Sequence, residues 1–223
     1  MQGPVISFTF DDVPRSAVTV GAATLGKHGI HGTYYVCMGL ANTTNVSGEH
    51  FGPDDLRWLA ANGHEIGCHT FGHLSLRDHS AAAVAADLDR NQLALQEVLP
   101  GFIPRQFAYP YGHISIETWR LVRTRFDTCR GIIGGIHPVA ERFDRLFANC
   151  LYETVPVAQN LRLIDQVLEK GGWLVFYSHD ISTSPSPYGC TPHYFETVVS
   201  HAAASGAAIL KIGEAAKKLR TGE

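Results

Sequence analysis

Val5-Ile6-Ser7-Phe8-Thr9-Phe10-Asp11-Asp12 is the stretch that decides the fold: a short, mostly apolar run that ends in two adjacent carboxylates. The run has the length and composition of a buried strand. The same arrangement, an apolar run followed directly by ionisable or turn residues, returns three times. Glu65-Ile66-Gly67-Cys68 leads into His69-Thr70-Phe71-Gly72-His73, and Arg105 to Tyr109 leads into Pro110-Tyr111-Gly112. Trp173-Leu174-Val175-Phe176-Tyr177-Ser178 leads into His179-Asp180. Chemistry gathered just beyond strand ends is the signature of parallel α/β sheets, whose sites lie at the carboxyl ends of the strands.

Working outward, strands are expected at 5–10, 33–37, 65–68, 105–109, 127–131, 146–151, 173–177 and 207–210. Helices are expected between them at 16–27, 54–62, 81–99, 115–125, 159–170 and 194–204. Ser80 can cap the third of these, and Pro100-Gly101 stops it. Seven or eight such β/α repeats fit a barrel. The 223 residues are few for a complete one, so the expectation is an α/β fold with a distorted or incomplete (β/α) barrel of seven to eight strands. No Pro/Ser-rich linker, charge block or repeat divides the chain, and residues 1–223 are expected to form a single catalytic domain.

Bulk properties exclude several function classes. The 18 Lys+Arg nearly balance 21 Asp+Glu, and without a basic stripe no nucleic-acid partner is expected. No apolar run approaches the ~18 residues that would span a bilayer, and no leader pattern precedes Val5, so a cytoplasmic location is expected. The five cysteines are odd in number and contain no C-x-x-C pair, which argues for reduced thiols over disulfides or a cysteine metal site. Homo-oligomerisation is left open.

Asp11 and Asp12 repel each other unless a cation is shared; the plainer alternative is a solvated acidic turn before Val13-Pro14. His69 and His73 have a spacing that suits a metal, although twelve histidines make any single spacing weak. With Asp12 they would form a two-histidine, one-carboxylate set for zinc or a similar cation, with positions left open for water and substrate. Beyond Pro110, the N–H groups of Tyr111 and Gly112 are the first backbone donors available to an oxyanion, or else belong to an ordinary turn. His179 at a strand tip suits a general acid, or equally a histidine bonded to a carbonyl.

In this order the four segments resemble the polysaccharide deacetylase family, carbohydrate esterase family 4, over residues from about 5 to 210. The resemblance implies Asp11 as catalytic base, and Asp12, His69 and His73 as ligands of a divalent metal, zinc first, with cobalt, nickel or manganese as alternatives. It implies Arg105 steadying Asp11, the Tyr111 N–H facing the oxyanion and His179 protonating the leaving group. Tyr109, Pro110 and Gly112 would line the substrate. The family's Asp-Trp element has no tryptophan counterpart at Phe126-Asp127-Thr128-Cys129-Arg130-Gly131. There Asp127 is assigned as the acid supporting His179 and Arg130 as a substrate contact. The partner implied is an acetylated saccharide, N-acetylated or O-acetylated. Three other readings remain: a metal hydrolase of a linear amide or cyclic ureide or imide, a non-catalytic sugar-binding protein, and a cysteine hydrolase built on Cys68 beside His69. The 184–192 loop would rim the cleft or serve as a rigid connection.

Overall fold

The computed structural model describes residues 3–139 and 142–221. Its strands are β1 (Val5–Asp11), β2 (Thr33–Val36), β3 (Thr44–Asn45), β4 (Gly48–Glu49), β5 (Glu65–Cys68), β6 (Gln106–Ala108), β7 (Thr128–Arg130), β8 (Asn149–Cys150), β9 (Trp173–Ser178) and β10 (Ala208–Ile209). The helices are α1 (Ala23–Lys27), α2 (Pro53–Ala61), α3 (Ala81–Val98), α4 (Ile116–Arg125), α5 (Val157–Lys170), α6 (Pro192–Ala204) and α7 (Ile212–Thr221). Eight strands form one parallel sheet in the order β7-β6-β5-β2-β1-β9-β8, with β10 beside the start of β1; β3 and β4 make a separate hairpin. Leu146, on the approach to β8, exchanges two backbone hydrogen bonds with β7, to Cys129 O and from Gly131 N. The sheet therefore curls round to this thin seam as a distorted, incomplete barrel, as expected.

The period of two explains which side of each strand does what. Along β1, Ile6, Phe8 and Phe10 join Leu174 and Phe176 of β9 in packing on Phe195 and Val198 of α6. Burying each of these phenylalanines contributes roughly 1.5–3 kcal/mol. The alternate residues Ser7, Thr9 and Asp11 face the barrel interior. Their buried polar atoms are satisfied there: Ser7 Oγ donates to Leu210 O (2.7 Å), and Thr9 Oγ1 donates to Phe176 O (2.8 Å).

Most expected elements appear within two residues of their expected ends. The exceptions are β8, which starts three residues late, the expected 16–27 helix, whose first part is a π-helix at Ala17–Ala22 ahead of α1, and two unexpected elements: the β3–β4 hairpin, which lacks an apolar alternation, and α7, whose apolar residues do recur at helical spacing. The apolar face of α7, Ile212, Ala215, Ala216 and Leu219, packs on Val5 and Trp173, the first residues of β1 and β9, and covers the amino end of the barrel. Among the described residues no helix is long and apolar enough to cross a membrane.

His64, just before β5, links the sheet to pH. Burial, with His31 and Lys211 adding to it, pulls its pKa down to about 4. Its Nδ1 accepts from the Gly32 N–H at 3.1 Å, which requires a neutral ring. Between pH 6.5 and 4 the unfolded chain binds a proton that the folded one refuses, so stability falls as pH drops through that window. His64→Gln keeps an acceptor without the titration. Its urea-unfolding free energy should fall less than that of the wild type between pH 6.5 and 4, by on the order of 2 kcal/mol. Parallel curves would sink this assignment.

Candidate metal and catalytic site

Asp11 and Asp12 diverge because β1 ends between them. Asp11 keeps the inward parity of Ser7 and Thr9. Asp12 and Val13 take left-handed backbone angles (φ 59° and 55°), which swing the Asp12 carboxylate toward the loop after β5. Such angles cost a side-chain-bearing residue roughly 1–2 kcal/mol. Thr70, His73 and Tyr111 share the conformation (φ 65°, 52° and 58°), so backbone strain is concentrated around one centre.

At that centre one oxygen of Asp12 lies 3.8 Å from His69 Nε2 and 3.6 Å from His73 Nε2. The three ligand atoms all fall within 4.8 Å of one another. These separations are near the ~3.4 Å edge spanned by two ~2.1 Å bonds at the tetrahedral angle, so the donor set fits a zinc-like divalent cation. His69 is prepared for that role. Its Nδ1 donates to Ala108 O at 2.8 Å, leaving Nε2 as the lone-pair nitrogen, and burial lowers its pKa to about 4 despite the nearby Asp11.

Side chains that sequence reasoning missed hold the loops in place. Asp87 and Asn91, one turn apart on α3, grip two of them. Asp87 Oδ2 accepts from Phe71 N (2.6 Å) and Gly72 N (3.2 Å), while Asn91 bonds Met38 N and Val36 O. A polar pair at i, i+4, half-buried Asp87 and buried Asn91, beside an apolar helix face was the available signal. Cys37 donates its thiol hydrogen to His69 O (2.9 Å), and His50, 1% exposed, sits within electrostatic reach of Asp12 and His179. No local pattern marks either residue.

Arg130, not Arg105, meets Asp11. Arg130 is wholly buried, its NH2 group forms a short ion pair with Asp11 Oδ1, and its guanidinium lies 4.9 Å from the Tyr177 ring centroid. Burial alone would raise the Asp11 pKa; Arg130, and after it His69 and His179, outweigh burial and hold it below the usual carboxylate value. Arg105 instead forms a bidentate pair with Asp127 at 2.8 and 3.0 Å, in solvent. The reason is strand polarity: Arg105 and Asp127 precede β6 and β7, whereas Arg130 closes β7 at the carboxyl end, where Asp11 closes β1. Asp127 accordingly does not support His179.

The turn after β6 divides its expected residues. Tyr109 is 3% exposed, and its hydroxyl donates to Asp144 O (3.0 Å); Pro110 is buried too, so neither side chain is placed to touch substrate. Tyr111 is 56% exposed, its ring 4.4 Å from that of His73, and Gly112 (φ 66°) packs so closely on Ile132 that a side chain would collide. His179 Nδ1 lies 3.2 Å from Tyr188 O, in the loop after β9. Cys68 is no nucleophile: burial pushes its thiol up to about 12, and Asn91 Nδ2 donates to its sulfur. A cavity of about 460 Å³ lies between the β3–β4 hairpin and the loop after β9, walled by Arg15, Ser16, Thr19, Ser47, Glu49 and Ser182 among others; His179 does not line it.

A family model described as polysaccharide deacetylase matches residues 1–125, more than half of the chain and all of the Asp12, His69 and His73 cluster. The chain belongs to the polysaccharide deacetylase family. It is 30% identical over 111 residues to the peptidoglycan-N-acetylglucosamine deacetylase PgdA of Listeria monocytogenes, covering 49% of this chain and 22% of that protein. It is 29% identical over 118 residues to a chitooligosaccharide deacetylase of Azorhizobium caulinodans, covering 52% of each. The chain thus spans about half, or less, of the length of these relatives. The fold is shared with a family 4 acetyl xylan esterase of Clostridium thermocellum solved with a cobalt ion (TM-score 0.65, 20% identity, 97% of this chain and 90% of the other). Arg130 and His179 lie beyond the residues that the family model matches.

Proposed function

We propose that this deacetylase-family chain removes acetyl groups from a carbohydrate, with Asp12, His69 and His73 holding zinc or a similar divalent cation. The observation that carries the reading is the divergence of two adjacent carboxylates, one into the histidine pair and the other into an ion pair with Arg130. Bound to the three ligands, the cation would polarise the acetyl carbonyl and acidify water enough for deprotonation near neutral pH. Asp11, ionised and anchored by Arg130, takes a proton from the attacking water. The Tyr111 N–H donates to the developing oxyanion, a contact whose loss typically costs ~10²–10³-fold in rate. His179, protonated, gives its Nε2 proton to the departing nitrogen or oxygen, and acetate leaves.

The similarity to peptidoglycan-N-acetylglucosamine and chitooligosaccharide deacetylases favours a saccharide substrate over a ureide or imide. The test is acetate release from N-acetylated and O-acetylated oligosaccharides of increasing length, set beside ureides and imides, with bound metal measured on the same sample. Release from saccharides by metal-loaded protein and its loss on chelation are expected. Turnover of ureides alone, or saccharide binding with no acetate, would overturn the assignment.

A further inference from the structure

The proline-rich segment after β9 is built around one buried carboxylate. Asp180 is 2% exposed and accepts two hydrogen bonds from Ser186, one from the backbone N–H (2.8 Å) and one from the hydroxyl. Ser186 Oγ in turn accepts from the Tyr188 N–H at 3.2 Å. The Cys190 N–H closes the turn on Asp180 O (3.1 Å), and Gly189 lies where any side chain would strike Asp180. This network aims a single carbonyl: Tyr188 O accepts from the His179 backbone N–H at 3.2 Å and lies at the same distance from His179 Nδ1. Among the described residues no carboxylate forms an ion pair with His179.

A carbonyl oxygen can only accept, so the Nδ1 facing it must carry the hydrogen. A free neutral imidazole divides its hydrogen between the two nitrogens, whereas this ring has the choice made for it. We propose that Asp180 is a positioning residue that, through Ser186 and the Tyr188 carbonyl, holds His179 in the Nδ1–H form and keeps Nε2 as the nitrogen that exchanges protons. The proposal rests on the reading of His179 as proton donor and deepens it. When Nε2–H breaks and its proton passes to the leaving group, the neutral ring that remains is the Nδ1–H tautomer, already bonded to Tyr188 O. No ring flip is needed: before the next turnover Nε2 regains a proton and Asp11 gives up the one it took from water, while Nδ1–H stays on Tyr188 O. A backbone carbonyl thus takes the place assigned in the sequence to Asp127.

Long-range ¹H–¹⁵N correlation spectra of metal-loaded, ¹⁵N-histidine-labelled protein above pH 8 report the tautomer directly, with His179→Gln identifying the signal. The expected result is a pyrrole-like Nδ1 and a pyridine-like Nε2 at His179. Ser186→Ala should move the ring toward the Nε2–H form and lower kcat about tenfold or more, with KM and metal content little changed. Asp180→Asn, which keeps the side-chain volume and one acceptor, should fall between the two. An Nε2–H ring in the wild type, or an Ser186→Ala protein with unchanged tautomer and kcat, would overturn the proposal. The spectrum needs no substrate. The expected tautomer in a protein that releases no acetate would therefore count against the deacetylase reading and not against the positioning.

Discussion

Asp11→Asn is expected to lower kcat by about 10²- to 10⁴-fold while the protein retains its metal, whereas His73→Ala loses metal and activity together. The split follows from geometry. His73 Nε2 stands 3.6 Å from the Asp12 oxygen and belongs to the ligand cluster; Asp11 points to the opposite side of the chain, into Arg130. Asparagine preserves the volume and can still accept from the guanidinium, so the pocket keeps its shape while the base is gone. The price is a buried arginine without its counter-charge, and a drop in stability accompanies the loss of rate. Metal analysis, acetate release and unfolding curves on the same preparations make the comparison. Metal loss from Asp11→Asn would mean that the two carboxylates have exchanged roles, and retention by His73→Ala would remove His73 from the ligand set.

Arg130→Met should be the more disruptive change to pH behaviour. With the guanidinium removed, burial acts on Asp11 without its largest opposing influence, and the carboxyl pKa moves up. In the wild type the depressed pKa contributes stability at neutral pH, present above the unfolded value and lost as pH falls through the folded one. In the variant the folded value exceeds the unfolded one, so the ionised carboxylate opposes folding at neutral pH. Unfolding free energy should drop by about 3–5 kcal/mol at pH 7 and recover part of that on acidification, and the acid limb of the rate profile should shift to higher pH. Arg105→Ala is the control. Its pair with Asp127 is exposed, worth about 1 kcal/mol or less, and activity should stay near the wild-type level. An inactive Arg105→Ala with a healthy Arg130→Met would restore the assignment made from sequence.

The difference between these two arginines shows how far a sequence can be read. A strand at 105–109 and a second at 127–131 were expected, and both exist, each trimmed to its central three residues. The rule that parallel sheets carry their sites at the carboxyl ends of the strands already weighed against Arg105 and Asp127, which begin theirs. Arg105 was assigned to Asp11 because the segment from Arg105 to Gly112 resembles the family's third motif. A strand puts about 3.3 Å between successive residues, and Arg105 sits at the wrong end of it. Asp127 was misjudged for the same reason. Tyr109 failed for another: a side chain next to a functional turn can point into the core, and only packing tells.

The ligand cluster was more accessible. His69 and His73 flank a tight loop, Asp12 follows the first strand, and the motifs they belong to resemble a known family closely enough to be read without coordinates. The residues that hold them were not. Asp87 and Asn91 lie inside a regular amphipathic helix, His50 follows a hairpin with no apolar signature, and Asp180 looked like a neighbour of His179 with no partner of its own.

Local pattern by itself determined most of the elements and the parallel α/β architecture, because each depends on periodicity or on residue type within a few positions, while Asp12, His69 and His73 were joined by the order of the motifs and the family they resemble. Tertiary structure alone decided which arginine meets Asp11, which group orients His179 and which side chains of the turn stay in the core. Those outcomes depend on strand polarity, barrel curvature and the burial of groups up to 119 positions apart, none of which leaves a mark on neighbouring residues.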